Sequence, residues 1–204
     1  MDTADMRGAF CISKEGVVMQ TLTSERLILR PFSEDDHEAV HSYASNRDNL
    51  IYMLWGPNTS EDTERFIRFA IDTSREEPCK NYQYAAVLKE DMKLIGGCGI
   101  TLDDNAQAEI GWLLHRDYWK QGYGTEIGNC LLELAFDVLN LHRVIAHCDA
   151  ENYGSYRVME NIGMRREGLF IEGRPANRLS GKEYGDEYSY AILKSEWKAR
   201  QKSK

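Results

Sequence analysis

Glu109-Ile-Gly-Trp-Leu-Leu-His-Arg-Asp-Tyr-Trp-Lys-Gln-Gly-Tyr-Gly-Thr125 is the stretch whose reading decides the fold. A strand over Ala108–His115 runs into a tight loop at Lys120–Thr125, and a helix begins at once. Ile127, Leu131, Leu134 and Val138 then line one face of that helix to about Leu139. Gly122 and Gly124 let the backbone turn sharply and present consecutive N–H groups, and the helix N-terminus adds the positive end of its dipole. Together they make a site for a pyrophosphate or another anion. A Walker A loop ends in Gly-Lys-Ser/Thr, whereas this one reads Gly-Tyr-Gly-Thr. A Rossmann fingerprint needs its third glycine one residue before Gly128, and its strand should open the fold rather than follow others. A strand–helix turn without a ligand stays open as the bland alternative.

On the N-terminal side, a strand from Thr21 is closed by Pro31, and Ser33 with Asp36 three residues later opens a helix to about Asn46. A second helix is expected over Glu61–Ser74, and strands over Tyr82–Leu88 and Lys93–Leu102. On the C-terminal side come a strand at Arg143–Cys148 and a short helix at Ser155–Ile162 stopped by Gly163. Two last strands, Leu169–Gly173 and Tyr184–Leu193, flank a turn-rich segment around Asn177–Gly181. The order is that of one α/β domain with a mixed sheet. Residues 1–18 read as an N-terminal extension, 19–198 as the domain and 199–204 as a tail.

Composition narrows the class. The chain has 204 residues, 42% hydrophobic and 28% charged, with 16 Gly and 4 Pro, as in an ordinary globular domain. No stretch approaches the ~20 apolar residues of a membrane span, and the acidic start does not resemble a signal peptide. Five scattered cysteines without a Cys-x-x-Cys pair point to buried thiols in a reducing compartment. A cytoplasmic location is the expectation. The net charge of −8 disfavours nucleic acid and suits a cationic partner.

Four motifs appear in order: Arg26-Leu-Ile-Leu-Arg-Pro31, Ala108-Glu-Ile-Gly-Trp112, Tyr118-Trp-Lys-Gln-Gly-Tyr-Gly-Thr-Glu126 and Asn152-Tyr-Gly-Ser-Tyr-Arg-Val-Met-Glu-Asn-Ile-Gly-Met164. Together they resemble the GNAT superfamily of acetyl-coenzyme A-dependent N-acetyltransferases. The nearest branch is that of RimJ and RimL, which acetylate ribosomal-protein N-termini. The resemblance spans about Leu22 to Trp197. It implies a mixed, mostly antiparallel sheet of six or seven strands, splayed between the fourth and fifth, with helices on both faces. It implies acetyl-CoA as cosubstrate, no metal, an amine-bearing acceptor, and a homodimer as in many relatives.

The resemblance also assigns residues. Trp112, Leu113 and Leu114 would pair with the pantetheine amides, and Gln121, Gly122, Tyr123, Gly124 and Thr125 would wrap the pyrophosphate. Asn152 would contact the pantetheine arm, and Ser155 would stand near the sulfur. Many members carry Arg or Gln where this chain has Trp119, and a tyrosine general acid where it has Met159. The leaving thiolate must then take its proton from Ser155, less readily from Tyr156, or leave without one.

Arg116, Lys120, Arg143, Arg157, Arg165 and Arg166 gather in segments flanking the loop, with Lys120 and Arg157 as the phosphate contacts. An attacking amine must be neutral, and an α-amino group near pKa 7.7–8.0 needs less help than a lysine side chain near 10.4. Glu109 is the candidate base, through water, with an outward-facing strand carboxylate as the alternative. A backbone N–H, at Leu114, would hold the oxyanion. The expected function is direct acetyl transfer to a primary amine, with a protein N-terminus favoured and an aminoglycoside, polyamine or small metabolite as other acceptors. A CoA-binding sensor without turnover is the alternative from another class. His37-Glu38-Ala39-Val40-His41 matches H-E-x-x-H, with Glu61 or Glu64 within conceivable reach, but it lies outside the four concordant motifs.

Overall fold

The computed structural model describes residues 19–177 and 180–202; the N-terminal extension, with Cys11, lies outside them. Eight strands form one sheet in the order β1-β2-β3-β4-β5-β6-β8-β7. They are β1 (Leu22–Thr23), β2 (Leu27–Pro31), β3 (Asn81–Leu88), β4 (Leu94–Leu102), β5 (Gln107–Leu114), β6 (Arg143–Asp149), β7 (Arg165–Pro175) and β8 (Tyr184–Leu193). The helices are α1 (His37–Ala44), α2 (Ser60–Thr73), α3 (Tyr123–Glu133), α4 (Tyr153–Asn161) and α5 (Lys194–Gln201). Every neighbouring pair is antiparallel except β5 and β6, which run parallel and are joined through α3. Among the described residues no helix is long and apolar enough to cross a membrane.

Alternation explains the layers. Leu27 and Leu29 are fully buried on one face of β2, and Ile110, Val144 and Tyr190 continue that side under α3, α4 and α5. Phe32, Ala85 and Val87 turn to the other side, where α1 and α2 pack through Val40, Tyr43, Ile67 and Ala70. A Thr59–Asp62 capping box starts α2. Arg30 and Asp36 form a two-pronged ion pair (2.6 and 2.7 Å) that fixes the entry to α1.

The structure departs from expectation at three points. The first strand breaks at Ser24–Arg26, where Ser24 Oγ accepts from the Leu27 N–H at 3.0 Å; the resulting hairpin gives eight strands instead of six or seven. The helix after the glycine loop loosens into a π turn over Leu134–Val138, with the Leu139 N–H bonded to the Leu134 carbonyl. Leu134, Ala135 and Phe136 within it are all buried. α5 was not foreseen; it seats buried Trp197 against Phe136, ring centroids 5.6 Å apart, and runs through 199–201. The positive φ of 92° at Gly163 ends α4 as its sequence suggests.

Candidate active site

The two parallel strands separate. β5 and β6 are in register at Gln107↔Arg143, Ala108↔Val144 and Glu109↔Ile145, and pairing stops there. β5 pairs with β4 along its whole length without a register shift. At the two ends the Asp103 N–H bonds the Gln107 carbonyl and the His115 N–H bonds the Ile95 carbonyl, both close to 2.9 Å. In such a ladder alternate residues turn their backbone groups to opposite neighbours. Gln107, Glu109, Gly111, Leu113 and His115 therefore bond to β4. The Ile110 N–H is used in the last β5–β6 pair, and the Ile110 C=O with the N–H and C=O of Trp112 and Leu114 aim at the gap left by β6. The Leu114 carbonyl is taken by Asn49 Nδ2 and Trp119 Nε1, each at 2.8 Å. The Trp112 N–H and C=O and the Leu114 N–H remain for a ligand.

Both helices that follow these strands start at the open end. α3 begins after Gly122 (φ 88°), with no side chain capping it; the Thr125 N–H bonds the Gly122 carbonyl at 3.0 Å, and the Tyr123 and Gly124 N–H groups are left for an anion. Lys120 just before it also has a positive φ, 61°. α3 and α4 lie close because a Cβ on Gly124 would come within 2.9 Å of Val158, and one on Gly128 within 2.9 Å of Ile162. Asn152 caps α4 by accepting from the Ser155 N–H at 3.1 Å.

The loop is clipped to β2 by a residue that the sequence reading passed over. Arg26 Nε donates to Glu126 at 2.5 Å, its NH2 donates to the Gln121 carbonyl at 2.9 Å, and its guanidinium lies 4.2 Å from the Tyr123 ring centre. Ser24 Oγ donates to the other Glu126 oxygen at 2.6 Å. Burial alone would raise the Glu126 pKa, but these hydrogen bonds and the Arg26 charge hold it below the ordinary carboxylate range. Arg26 and Glu126 open and close two of the quoted motifs, which was the available signal.

The expected basic cluster is largely consumed. Arg116 pairs with Asp48, Arg143 with Glu167, Arg157 with Glu160, Arg165 with Glu167 and Glu196, and Arg166 with Glu160. Arg143 stands at the closed end of the β5–β6 gap. Lys120 is exposed and has no carboxylate partner among the described residues.

On the α1–α2 side the gap opens into a cleft of about 1010 Å³. Its floor is low because β4 and β5 supply Gly97, Gly99 and Gly111; Glu109, His147, Glu187, Asn152 and Ser155 stand around it. Tyr52 and Trp55 also line it, and Arg174 NH2 donates to the Tyr52 carbonyl at 3.1 Å. Glu109 thus faces the cleft. Ser155 lines it too, with its hydroxyl against the Cys148 thiol. Met159 is buried beneath. Tyr156 packs between Tyr153 and Tyr188, centroids 5.2 and 5.7 Å away, which makes it a packing residue.

Two expected roles do not meet. Glu109 and Leu114 are five residues apart on one strand, about 17 Å at ~3.4 Å per residue. No carbonyl carbon can be near both, so an oxyanion donor at Leu114 and a base at Glu109 cannot serve one reaction centre. The gap-facing N–H of Trp112 is nearer, three residues from Glu109, because the Ile110 N–H is used in the Glu109↔Ile145 pairing. His37 and His41 stack at 5.7 Å and bond to Ser60 and Thr63 of α2, so they serve helix packing. Among the described residues no group of three His, Cys, Asp or Glu side chains could hold a metal ion. Burial pushes the Cys130 and Cys148 thiols up to about 12, and that of Cys98 higher still.

Comparison with known proteins agrees with this geometry. The profile of the Acetyltransferase (GNAT) domain matches residues 26–165. The chain is 37% identical over 177 residues to the uncharacterized N-acetyltransferase YnaD of Bacillus subtilis, covering 86% of this chain and 98% of that one. A crystal structure of a GNAT-family acetyltransferase from Bacillus anthracis superposes with a TM-score of 0.75 at 38% identity, covering 87% of this chain and 100% of that one. The fold is also that of spermidine N-acetyltransferase from Vibrio cholerae in complex with CoA and spermine (TM-score 0.73, 21% identity, 85% of this chain and 99% of that one). The chain belongs to the GNAT family of acetyltransferases and is an acetyl-CoA-dependent acyltransferase.

Proposed function

We infer that the protein transfers an acetyl group from acetyl-CoA to a primary amine by direct attack, with a protein N-terminal amine as the favoured acceptor. The observation that carries this is the β5–β6 gap: unpaired strand groups at Trp112 and Leu114 lead in one direction to the uncapped start of α3 and in the other to the Glu109 cleft. Amides of a pantetheine arm fit the first, phosphates the loop 121–125 and Lys120, and an amine the cleft. Asn152 and Ser155 stand where the arm would end.

In the reaction the ammonium loses a proton, its nitrogen attacks the thioester carbonyl carbon, and the C–S bond breaks as the C–N bond is completed. Glu109 gives a carboxylate that draws the ammonium and lets its proton leave through water. The Ser155 hydroxyl donates to the departing sulfur. The cleft cysteines, Cys98 and Cys148, are held as neutral thiols by burial, which supports direct attack over an acyl-cysteine. An α-amine suits this site because it needs the least deprotonation. A polyamine is the second reading, favoured by the Asp62, Glu109, Asp149 and Glu187 carboxylates around the cleft.

The test is thermal-shift binding of acetyl-CoA beside thiol release against free-N-terminus peptides, spermidine, an aminoglycoside and an amino acid. A shift together with thiol release and an acetylated amine by mass spectrometry is expected. A shift without turnover on any amine would favour a sensor, and no shift would refute the cofactor site.

A further inference from the structure

His147 carries a buried nitrogen that its surroundings leave unsatisfied. It lies on β6 two residues beyond Ile145, the last β6 residue paired with β5. Side chains two apart along a strand share a face, so His147 is on the same side of the sheet as Glu109 but one step further into the opening, level with Gly111. A Cβ on Gly111 would meet nothing within 4 Å, so the space beside the imidazole is clear. The ring lines the cleft and its side chain is 29% exposed, yet Nδ1 is buried without a hydrogen bond. Nε2 is thereby the nitrogen left to the cleft. Glu187 Oε2, from β8, stands 3.7 Å from Nδ1, just outside hydrogen-bond range. The other charges on this face are Asp149 of β6, which Arg174 of β7 approaches at 3.9 Å, Glu109 of β5, Asp62 of α2, and Arg143 of β6, which is paired with Glu167.

Buried polar atoms in folded proteins are ordinarily bonded, and one that is not needs an explanation. A carboxylate a few tenths of an ångström too far becomes a charge-assisted partner once the ring gains a proton. We propose that His147 takes the proton from the attacking ammonium at Nε2, with Glu187 holding the resulting imidazolium at Nδ1. This rests on the amine-acetylating reading above. The balance closes: the ammonium gives one proton to His147, which releases it to water and the Glu109 side of the cleft. The neutral nitrogen then attacks, and its second proton ends on the CoA sulfur through Ser155. One proton is released per turnover. An imidazole is better matched than a carboxylate to proton transfer near neutral pH.

The experiment uses the full chain and whichever amine of the panel it acetylates. It compares His147→Gln, His147→Ala and Glu187→Gln with wild type in kcat/KM against pH and in acetyl-CoA Kd. His147→Gln should lose about 100-fold or more in kcat/KM, keep its Kd within about twofold, and lose the acid limb of the profile. Added imidazole should restore activity to His147→Ala, which a structural role would not allow. Glu187→Gln should lower kcat/KM by about tenfold with the acetyl-CoA Kd unchanged, because the imidazolium then lacks its partner carboxylate. An unchanged acid limb in His147→Gln, or no imidazole rescue of His147→Ala, overturns the proposal while the acetyltransferase reading stands. Wild type that acetylates no amine overturns the reading beneath it.

Discussion

Replacing Arg26 with Met should weaken acetyl-CoA binding without touching the reaction. Three contacts are lost: the exposed ion pair to Glu126, the bond to the Gln121 carbonyl, and the stack on Tyr123. The ion pair contributes ~0.2–1 kcal/mol, because Arg26 is 43% exposed and screened by solvent. The carbonyl bond contributes ~0.5–1.5 kcal/mol, and the stack ~0.5–1 kcal/mol at an exposed site. Methionine keeps part of the apolar contact with Tyr123, so the net loss is about 1–2 kcal/mol. All three contacts hold residues 121–126 in the conformation that offers the Tyr123 and Gly124 N–H groups. The loss should therefore appear chiefly as a rise of up to about 5–30-fold in the KM for acetyl-CoA, with kcat within about twofold. A lower Tm, by a few degrees, should accompany it. Steady-state kinetics with saturating amine reads the split, and a double-mutant cycle with Glu126→Gln should be strongly non-additive. Unchanged KM, or a fall confined to kcat, would refute the argument that the clip shapes a cofactor loop.

Other outcomes follow from the same geometry. Gly124→Val should cost about 1–3 kcal/mol of stability and raise the acetyl-CoA Kd, because its Cβ would press on Val158 at 2.9 Å and force α4 away; calorimetry checks both. Ser155→Ala should lower kcat about 100-fold at constant KM if the hydroxyl protonates the sulfur, and a loss below threefold would remove it from that role. For Asp36, burial alone would raise the pKa, but the Arg30 hydrogen bonds and charge and the Ser33 N–H hold it below the ordinary value. Its stabilisation is thus complete above the unfolded value near ~3.9 and is lost as pH falls through the lower folded value. Asp36→Asn should cost about 2 kcal/mol at pH 7, less than the ~3–5 kcal/mol of a fully buried pair because Arg30 is 31% exposed. That difference should shrink in urea titrations at pH 3.

Local pattern was enough for most of the fold. The spacing of Ile127 and Leu131 located α3, and the stretch read as a last strand, Tyr184–Leu193, is β8 with the same ends. It failed where a tertiary contact overrode local preference. Ser24 turns the chain because its hydroxyl bonds Leu27 and Glu126, and α5 forms because Trp197 finds Phe136. Within the site, Glu109 was legible as a strand carboxylate and the glycines as a loop. The fate of the arginines was not, since each finds a carboxylate supplied by folding or by a helix neighbour. Nor could the sequence show which β5 amides face the gap, because that depends on the register with β4. His147 escaped notice for the same reason: its alignment with Gly111 depends on where β5 and β6 part.

The most direct measurement is residue-resolved amide hydrogen exchange with and without acetyl-CoA. The Trp112 and Leu114 N–H groups, aimed at the gap, should exchange readily in the free protein and slow by at least about tenfold when acetyl-CoA is added. Gly111 and Leu113, already bonded to β4, should change little. Protection that skips Trp112 and Leu114, or falls evenly along β5, would contradict a cofactor site built from the parting of β5 and β6.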